Sequence, residues 1–525
     1  MPGTDLITII NNKQPNFKAI AVTIPYADEI VIQVKAEDFR KVCLVLHESL
    51  SSPVMAFFAV DDRQKQAKFT IYCYFLNIPQ GQWVAVSLDI PSVDPYFDSL
   101  AKDIYSAHLF EREIWEMFGL EPRGNPDLRR LRLHDEVWPT GNYPLRKDFR
   151  EIIAGEKKDY KFARVEGEGI FEVPVGPVHA GIIGPGHFRF SVAGEPIIHL
   201  ESRLGFTHRG VEKLFEGKSL AAGLLLAECV SGDSVIAHSL AYSLAAEKIA
   251  GITIGKKTAY CRAIVLELER MYNHVNDIGG IALDVGFSFP AALAAIIKES
   301  ILQANEKLTG SRYLKGMNKL GGISLEMNPE QQEELTAALS KIKEDFTALV
   351  EILDNSVSFV DRVDGTGTLK MEIAEDLGVL GLAGRAAGVK IDLRKHFPSL
   401  YHEAKHKIIT GRAGDVLARL KVRIEEFNES GRLIAEFLNK ISSAETEDSK
   451  INPVSGKALG YSEGWRGPVL YWLKTNPAGI IERCKITDPS FHNWPGLSYA
   501  VIGEIIPDFP LCNKSFDLSY AGNDL

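Results

Sequence analysis

AECVSGDSVIAHSLAY, residues 227–242, decides how this chain is read. The stretch is apolar, yet it carries Ser231 and Ser234 with Gly-Asp between them and His238 four residues on. A buried helix ordinarily fills such positions with Ala or Leu. The spacing points to side chains that face a shared target, and the rest of the chain has to say what that target is. The surrounding region, 219–246, is the most apolar in the chain but is interrupted by Glu228, Asp233 and His238. No stretch of 18 or more residues is both uncharged and apolar enough to span a bilayer, so the expectation is a buried helix in a large core.

Working outward, helical periodicity covers 219–250, 256–278, 290–309, 329–360 and 406–442. Short strand-like runs, HFRFSV and EPIIHLES, precede these helices, and 450–525 reads as Gly/Pro-rich turns and short strands. Upstream, EIVIQVKAEDF and AKFTIYCYFL read as strands, and AEDFRKVCLVLHES as an amphipathic helix. Residues 122–149 are basic, proline-bearing and aperiodic, which suits an extended arm lying on another surface. The expected organisation is an α+β domain with its arm at 1–150, a charged linker at 151–169, and a mainly α large domain at 170–525 with short β elements at its start and C-terminus.

The chain of 525 residues is 45% hydrophobic and carries a net charge of −10. That charge disfavours nucleic acid as a partner, because phosphate backbones are gripped by basic surfaces. Six cysteines are scattered with no CxxC, so no zinc or iron–sulfur signature is present, and a reducing compartment is implied. The N-terminus lacks the charged and apolar regions of a signal peptide.

Three further constellations carry chemistry. In CRAIVLELERMYNHVNDIGG (261–280), Glu267, Arg270 and His274 share one helix face. They read either as an ion pair that holds helices together or as a row along a proton path. In GRAAGVKIDLRKHFPSLYH (384–402), Arg385, Asp392 and Arg394 read equally as a docking site for an acidic or cluster-bearing partner and as a salt-bridged loop. GPVHAGIIGPGHFRF (176–190) places His179 and His187 on a Gly/Pro-rich loop, where function concentrates.

Long motifs in order then carry a resemblance over nearly the whole chain. EREIWEMFGLEPRGNPDLRRLRLHDEVWPTGNYPLRKDF (111–149) resembles the 30-kDa subunit of respiratory complex I. GPVHAGIIGPGHFRF, GFTHRGVEKLFEG (205–217), HSLAYSLAAEKIAG (238–251), LELERMYNHVNDIGG (266–280) and GRAAGVKIDLR (384–394) resemble its 49-kDa subunit. They are more similar still to the large subunits of group 4 membrane-bound NiFe hydrogenases, such as those of formate hydrogenlyases. The resemblance implies a fused 30-kDa/49-kDa chain with the NiFe-hydrogenase large-subunit fold.

That family holds nickel and iron on two cysteine pairs, one just before the motif histidine and one near the C-terminus. Anchored on His238, the first pair falls on Ser231 and Ser234. In FDLSYAGNDL (516–525), Asp517 matches the family aspartate, and the second pair falls on Ser519 and Gly522. All four positions lack sulfur, and a neutral hydroxyl is a poor replacement for a thiolate on nickel, so no metal is expected on this chain. Gly184 stands where group 4 hydrogenases carry a proton-passing glutamate. Of the quinone-binding positions of complex I, His179 matches a loop histidine, Ile183 or Gly184 stands at the second, and Cys229 stands at the tyrosine.

The resemblance implies an oxidoreductase subunit of an ion-translocating complex, bound peripherally on the cytoplasmic side of the membrane. Its partners would be a small iron–sulfur subunit, a ferredoxin-like subunit and antiporter-like membrane subunits, with the iron–sulfur clusters in those partners. One reading has electrons reach an acceptor such as a quinone in a metal-free pocket, with Asp233, His238 and His179 as proton donors. Cys229, Asp517, Glu267, Arg270 and His274 would line the pocket and its proton path. The alternative is a non-catalytic coupling or scaffold subunit, and an active hydrogenase ranks last.

Overall fold

The computed structural model describes residues 2–14, 17–180, 183–397, 400, 401, 403–441 and 454–525. After helix α1 (Pro2–Lys13), five strands form one sheet: β1 (Ala21–Tyr26), β2 (Glu29–Val34), β3 (Ala56–Asp61), β4 (Lys68–Asn77) and β5 (Gln82–Pro91). Their order is β1-β2-β5-β4-β3, with β2 and β5 parallel and the other neighbours antiparallel. Helix α2 (Ala36–Leu50) covers one face.

The alternation of side chains along each strand gives this sheet two buried faces. Phe57, Cys73, Phe75, Val84 and Val86 pack with Phe39, Val42 and Leu46 of α2. Their neighbours Phe58, Tyr72, Tyr74 and Trp83 point the other way and join a core with Leu459, Trp472 and Trp494 of the large domain. Trp83 packs on Phe397 and Tyr461 with ring centroids 5.0 and 5.3 Å apart, and Phe58 packs on Trp472 at 5.0 Å. Tilted ring contacts of this kind add to the area burial of the rings. The two domains are therefore joined by a continuous apolar layer.

Helix α3 (His108–Phe118) leads into the arm, which wraps the large domain through ionic contacts. Arg132 donates to the Asn523 carbonyl at 2.7 Å, Lys147 to Glu216 at 2.6 Å, and Arg129 to Glu201 at 2.6 Å. In the linker, Tyr160 donates to Glu201 at 2.7 Å, so this charged segment is held against the fold over part of its length.

A three-stranded sheet follows, made of β6 (Ile170–Val175), β7 (His187–Ala193) and β8 (Ile197–Arg203). The helical body contains α4 (Leu220–Ala227), α5 (Val235–Ala250), α6 (Lys256–Asp284), α7 (Ser288–Thr309), α8 (Pro329–Asp354) and α9 (Val416–Ile441). A second three-stranded sheet, β9 (Lys457–Glu463), β10 (Pro468–Thr475) and β11 (Ile481–Thr487), lies against α5.

Three expectations are corrected. The helix read over 219–250 is broken at 228–234, because Gly232 and the polar pair around it form a loop. The helix read from 406 begins at Val416, after the turn at Gly414 whose φ of 68° is left-handed. The segment read as turns and short strands also holds helices α10 (Pro489–Ala500), α11 (Phe509–Phe516) and α12 (Tyr520–Asp524). Asp488 and Ser519 cap α10 and α12 through their side chains, a local signal in the sequence.

Candidate functional site

Ser231 and Ser234 sit in the loop that enters α5. Ser234 is the N-cap residue of α5, but its side chain makes no cap bond. Glu269 of α6 takes that part, accepting from the backbone N–H groups of Ile236 at 2.6 Å and Ala237 at 3.0 Å. Ser234 is thereby free to turn towards its neighbours, and its Oγ accepts from Trp465 Nε1 at 3.1 Å. Asn273, also on α6, fixes the loop by donating to the Asp233 carbonyl at 2.7 Å.

The four positions that lack sulfur converge. Ser231 Oγ meets Ser519 Oγ at 2.8 Å and donates to Asp233 Oδ1 at 2.8 Å. Ser519 Oγ accepts from the Gly522 N–H at 2.9 Å, which starts α12. Arg466, from the β9–β10 turn, lies against this group. Its two terminal nitrogens donate to Asp233 Oδ1 at 2.8 Å and Oδ2 at 2.7 Å, a bidentate pair. The same guanidinium bonds the Asp517 carbonyl and lies 3.4 Å from Asp517 Oδ2. Burial opposes the charge on Asp233, but Arg466 outweighs it and holds the carboxyl well below the usual carboxylate range. The side chain of Asp233 remains 41% exposed and that of Arg466 only 6%, so the cluster meets solvent on the aspartate side.

His238 faces away from the serines. Its Nδ1 is 2.9 Å from Tyr471 Oη, and its Nε2 is 3.0 Å from Asp488 Oδ2. Asp488 in turn stands against Gly522, where an added Cβ would lie 2.4 Å from Asp488 Oδ2. The fully buried His238 therefore positions the wall behind Gly522. On the other side, Tyr520 carries the loop of His179, with Tyr520 Oη 3.4 Å from His179 Nε2. Gly184 lies over the same ring, where a Cβ would come within 2.9 Å of Tyr520, so a glutamate has no room there. Gly181 and Ile182 of this loop lie outside the described residues. Cys229 is exposed beside the loop, and its carbonyl accepts from Arg209 at 3.0 Å.

These residues do not fit a nickel–iron centre. The hydroxyls of Ser231 and Ser519 are spent on each other and on Asp233, and the Arg466 guanidinium already adds a positive charge beside them. Position 522 offers no ligand, and the space beside it belongs to Asp488.

A second buried cluster lies along the seam between α6 and α9. On α6, Glu267, Arg270, His274 and Asp277 follow one face; on α9, Arg423, Glu426 and Ser430 meet them, and all seven are fully buried or nearly so. Arg385 Nη2 is 2.7 Å from Glu426, and Nη1 is 2.7 Å from Glu463. Arg394 bridges Asp392 at 2.7 Å and Glu267 at 3.1 Å, while Arg270 contacts Glu267 at 3.4 Å and also pairs with Glu426. The expectation that Arg385, Asp392 and Arg394 form a partner interface is therefore corrected. They are 0, 0 and 3% exposed; buried carboxylates satisfy the two arginines, and Arg394 satisfies Asp392. Of the two readings left open at this motif, the salt-bridged one is found.

His274 stands at the end of this cluster, its Nε2 3.3 Å from Glu426 Oε2, without a hydrogen bond at either ring nitrogen. Burial pulls its imidazole down to about 4, the nearby carboxylate notwithstanding. Burial pushes Glu269 the other way, up to about 8, despite its two backbone donors. Arg466, Trp465, Asp488, Glu269, Glu426 and Glu463 escaped the sequence reading. Most sit in segments whose local pattern looks like ordinary helix, strand or turn; the Asp-Pro cap at Asp488 and the spacing of Glu269 and Asn273 on the Glu267–His274 helix offered clues.

Residues 284–455 match the family described as the 49 Kd subunit of respiratory-chain NADH dehydrogenase, and residues 32–152 match its 30 Kd subunit. Formate hydrogenlyase subunit 5 of Escherichia coli (strain K12) is 30% identical over 508 residues, covering 95% of this chain and 89% of that protein. Hydrogenase-4 component G of the same organism is 29% identical over 507 residues, covering 95% of this chain and 88% of that protein. NADH-quinone oxidoreductase subunit 4 of Thermus thermophilus is 27% identical over 402 residues, 71% of this chain and 98% of that protein. The fused 30-kDa and 49-kDa regions, in one chain aligned almost end to end with such relatives, place this protein in the group 4 hydrogenase large-subunit family.

Proposed function

We propose that this chain is a metal-free coupling subunit of a membrane-associated, ion-translocating oxidoreductase complex. Electrons would pass through iron–sulfur clusters of a small subunit and a ferredoxin-like subunit, and antiporter-like subunits would carry the ions. No helix among the described residues is long and apolar enough to cross a membrane, which supports a peripheral place, and we put it on the cytoplasmic side. The observation that carries the reading is Arg466, clamped by Asp233 and Asp517 against the Ser231–Ser519 contact. A second reading, reduction of an acceptor such as a quinone here, is favoured by the solvent exposure of Asp233 and by the His179–Tyr520 pair beside it.

The test is nickel and iron content of the complex purified anaerobically with its partners, measured by mass spectrometry, followed by turnover of Asp233→Asn and Tyr520→Phe complexes. Background nickel with full turnover in both variants supports the coupling reading. Nickel near one per chain overturns it, and loss of turnover in both variants moves the assignment to the acceptor reading.

A further inference from the structure

Within the seam, Asp277 and Arg423 pair with each other at 3.0 Å, and the group around Arg385 contains four carboxylates against three guanidiniums. Glu267, Asp392, Glu426 and Glu463 are all buried, and the cations among them are Arg270, Arg385 and Arg394. A fully buried, uncompensated charge is costly, so such a group takes a proton instead. Geometry singles out which one. Glu426 faces both Arg385 and Arg270, Glu267 faces both Arg270 and Arg394, and Asp392 faces Arg394 at 2.7 Å with His406 at 3.1 Å. Glu463 has Arg385 alone, and shares it with Glu426. Beside Glu463 lies a small cavity of about 20 Å³ lined also by Arg394, Tyr401 and Ser462. That is room for one water with polar partners.

We propose that Glu463 is a buried proton-binding site, holding as a neutral carboxylic acid the proton that the three guanidiniums leave unbalanced. Release breaks the O–H bond at Glu463 and gives the proton to a water in the cavity, leaving a carboxylate and a hydronium; uptake reverses this, and no electron moves. The groups facing the site are Arg385 from the short helix Gly381–Ala387, Asp392 and Arg394 beside Leu393, whose N–H donates to Glu463 Oε2 at 3.1 Å, and Glu426 from α9. Burial and the neighbouring Asp392 raise the affinity of Glu463 for the proton, in the same sense as the geometry. The site is a property of this chain alone; assigning its proton to ion coupling rests on the coupling reading above.

The experiment is infrared spectroscopy of the purified full-length protein, reading the carbonyl stretch of protonated carboxyl groups at neutral pH, with Glu463→Gln and Glu269→Gln compared. The expected result is loss of one component of that band in Glu463→Gln, distinct from the one lost in Glu269→Gln, with the melting temperature of Glu463→Gln unchanged or raised. Gln resembles the neutral acid, so it fits only if the acid is neutral. Glu426→Gln and Asp392→Asn serve as controls and are expected to lower the melting temperature. An unchanged band in Glu463→Gln, or equal destabilisation in all three seam variants, overturns the proposal. Because no metal or turnover is read, a failure here is distinct from a failure of the coupling reading.

Discussion

The Arg466 cluster and the α6–α9 seam are built from the same chemistry and differ in access to water. In the first, Arg466 holds two aspartates on loop ends, one of them 41% exposed. In the second, the carboxylates and guanidiniums are 0–3% exposed and lie among α6, α9, β9 and the Arg385–Arg394 segment. In the wet cluster a lost partner is replaced by solvent. In the dry seam it is not, and every charge depends on its neighbours. The difference explains how one cluster can stand at a position of altered chemistry while the other holds the helical body together.

The largest expected effect comes from Arg385→Met, which leaves Glu426 and Glu463 without their shared cation. Unfolding by denaturant is expected to show a loss of about 3–5 kcal/mol. A loss below about 1 kcal/mol would mean that the seam is hydrated and the contrast false.

The next effect links the two regions through Glu269, which sits on the seam helix but caps the helix of the cluster. Its folded value of about 8 lies above the unfolded carboxyl value. The stability it contributes is full below about pH 4.5 and is lost as pH rises through about 8, by about 2 kcal/mol between pH 6 and 8. Glu269→Gln is expected to flatten that alkaline limb, read from melting temperature against pH. His274 acts in the opposite sense: its folded value of about 4 makes stability fall as pH drops from about 6.5 towards 4. A Glu269→Gln profile that still falls towards pH 8 would place the titrating group elsewhere.

Arg466→Ala is expected to cost less than the seam variant, about 1–2 kcal/mol, because water reaches Asp233. If it costs as much as Arg385→Met, the cluster is as dry as the seam. The smallest effect is expected from Tyr520→Phe, which removes the 3.4 Å contact with His179 and changes stability by about 0.5 kcal/mol or less. A larger loss would show that the loop over Gly184 depends on that contact.

Parts of both regions were legible in the sequence for different reasons. The placement of Ser231, Ser234, Ser519 and Gly522 on one site followed from the motif order, since the histidine at 238 and the aspartate at 517 fix the register. Glu267, Arg270 and His274 were placed on one face by helical periodicity. What faced them was not readable. Glu426 lies on α9 and Glu463 on β9, and pairing across more than 150 residues leaves no local pattern. At Arg385 the docking and salt-bridged readings stood equal in the sequence; in the fold the glycines let the backbone pack closely, as at Gly381, where an added Cβ would lie 1.9 Å from the Arg466 carbonyl.

By itself, the sequence determined the strand patterns of β2 and β4, the long helices and the arm, because these depend on residue identity and spacing, and the family resemblance added the four positions that lack thiolates. Only the tertiary structure decided that an arginine lies at the altered site, that His238 turns to Asp488, and that Arg385, Asp392 and Arg394 are interior. The physical reason is that a charge takes its meaning from its partners and from its distance to water, and both are set by chain segments far apart in sequence.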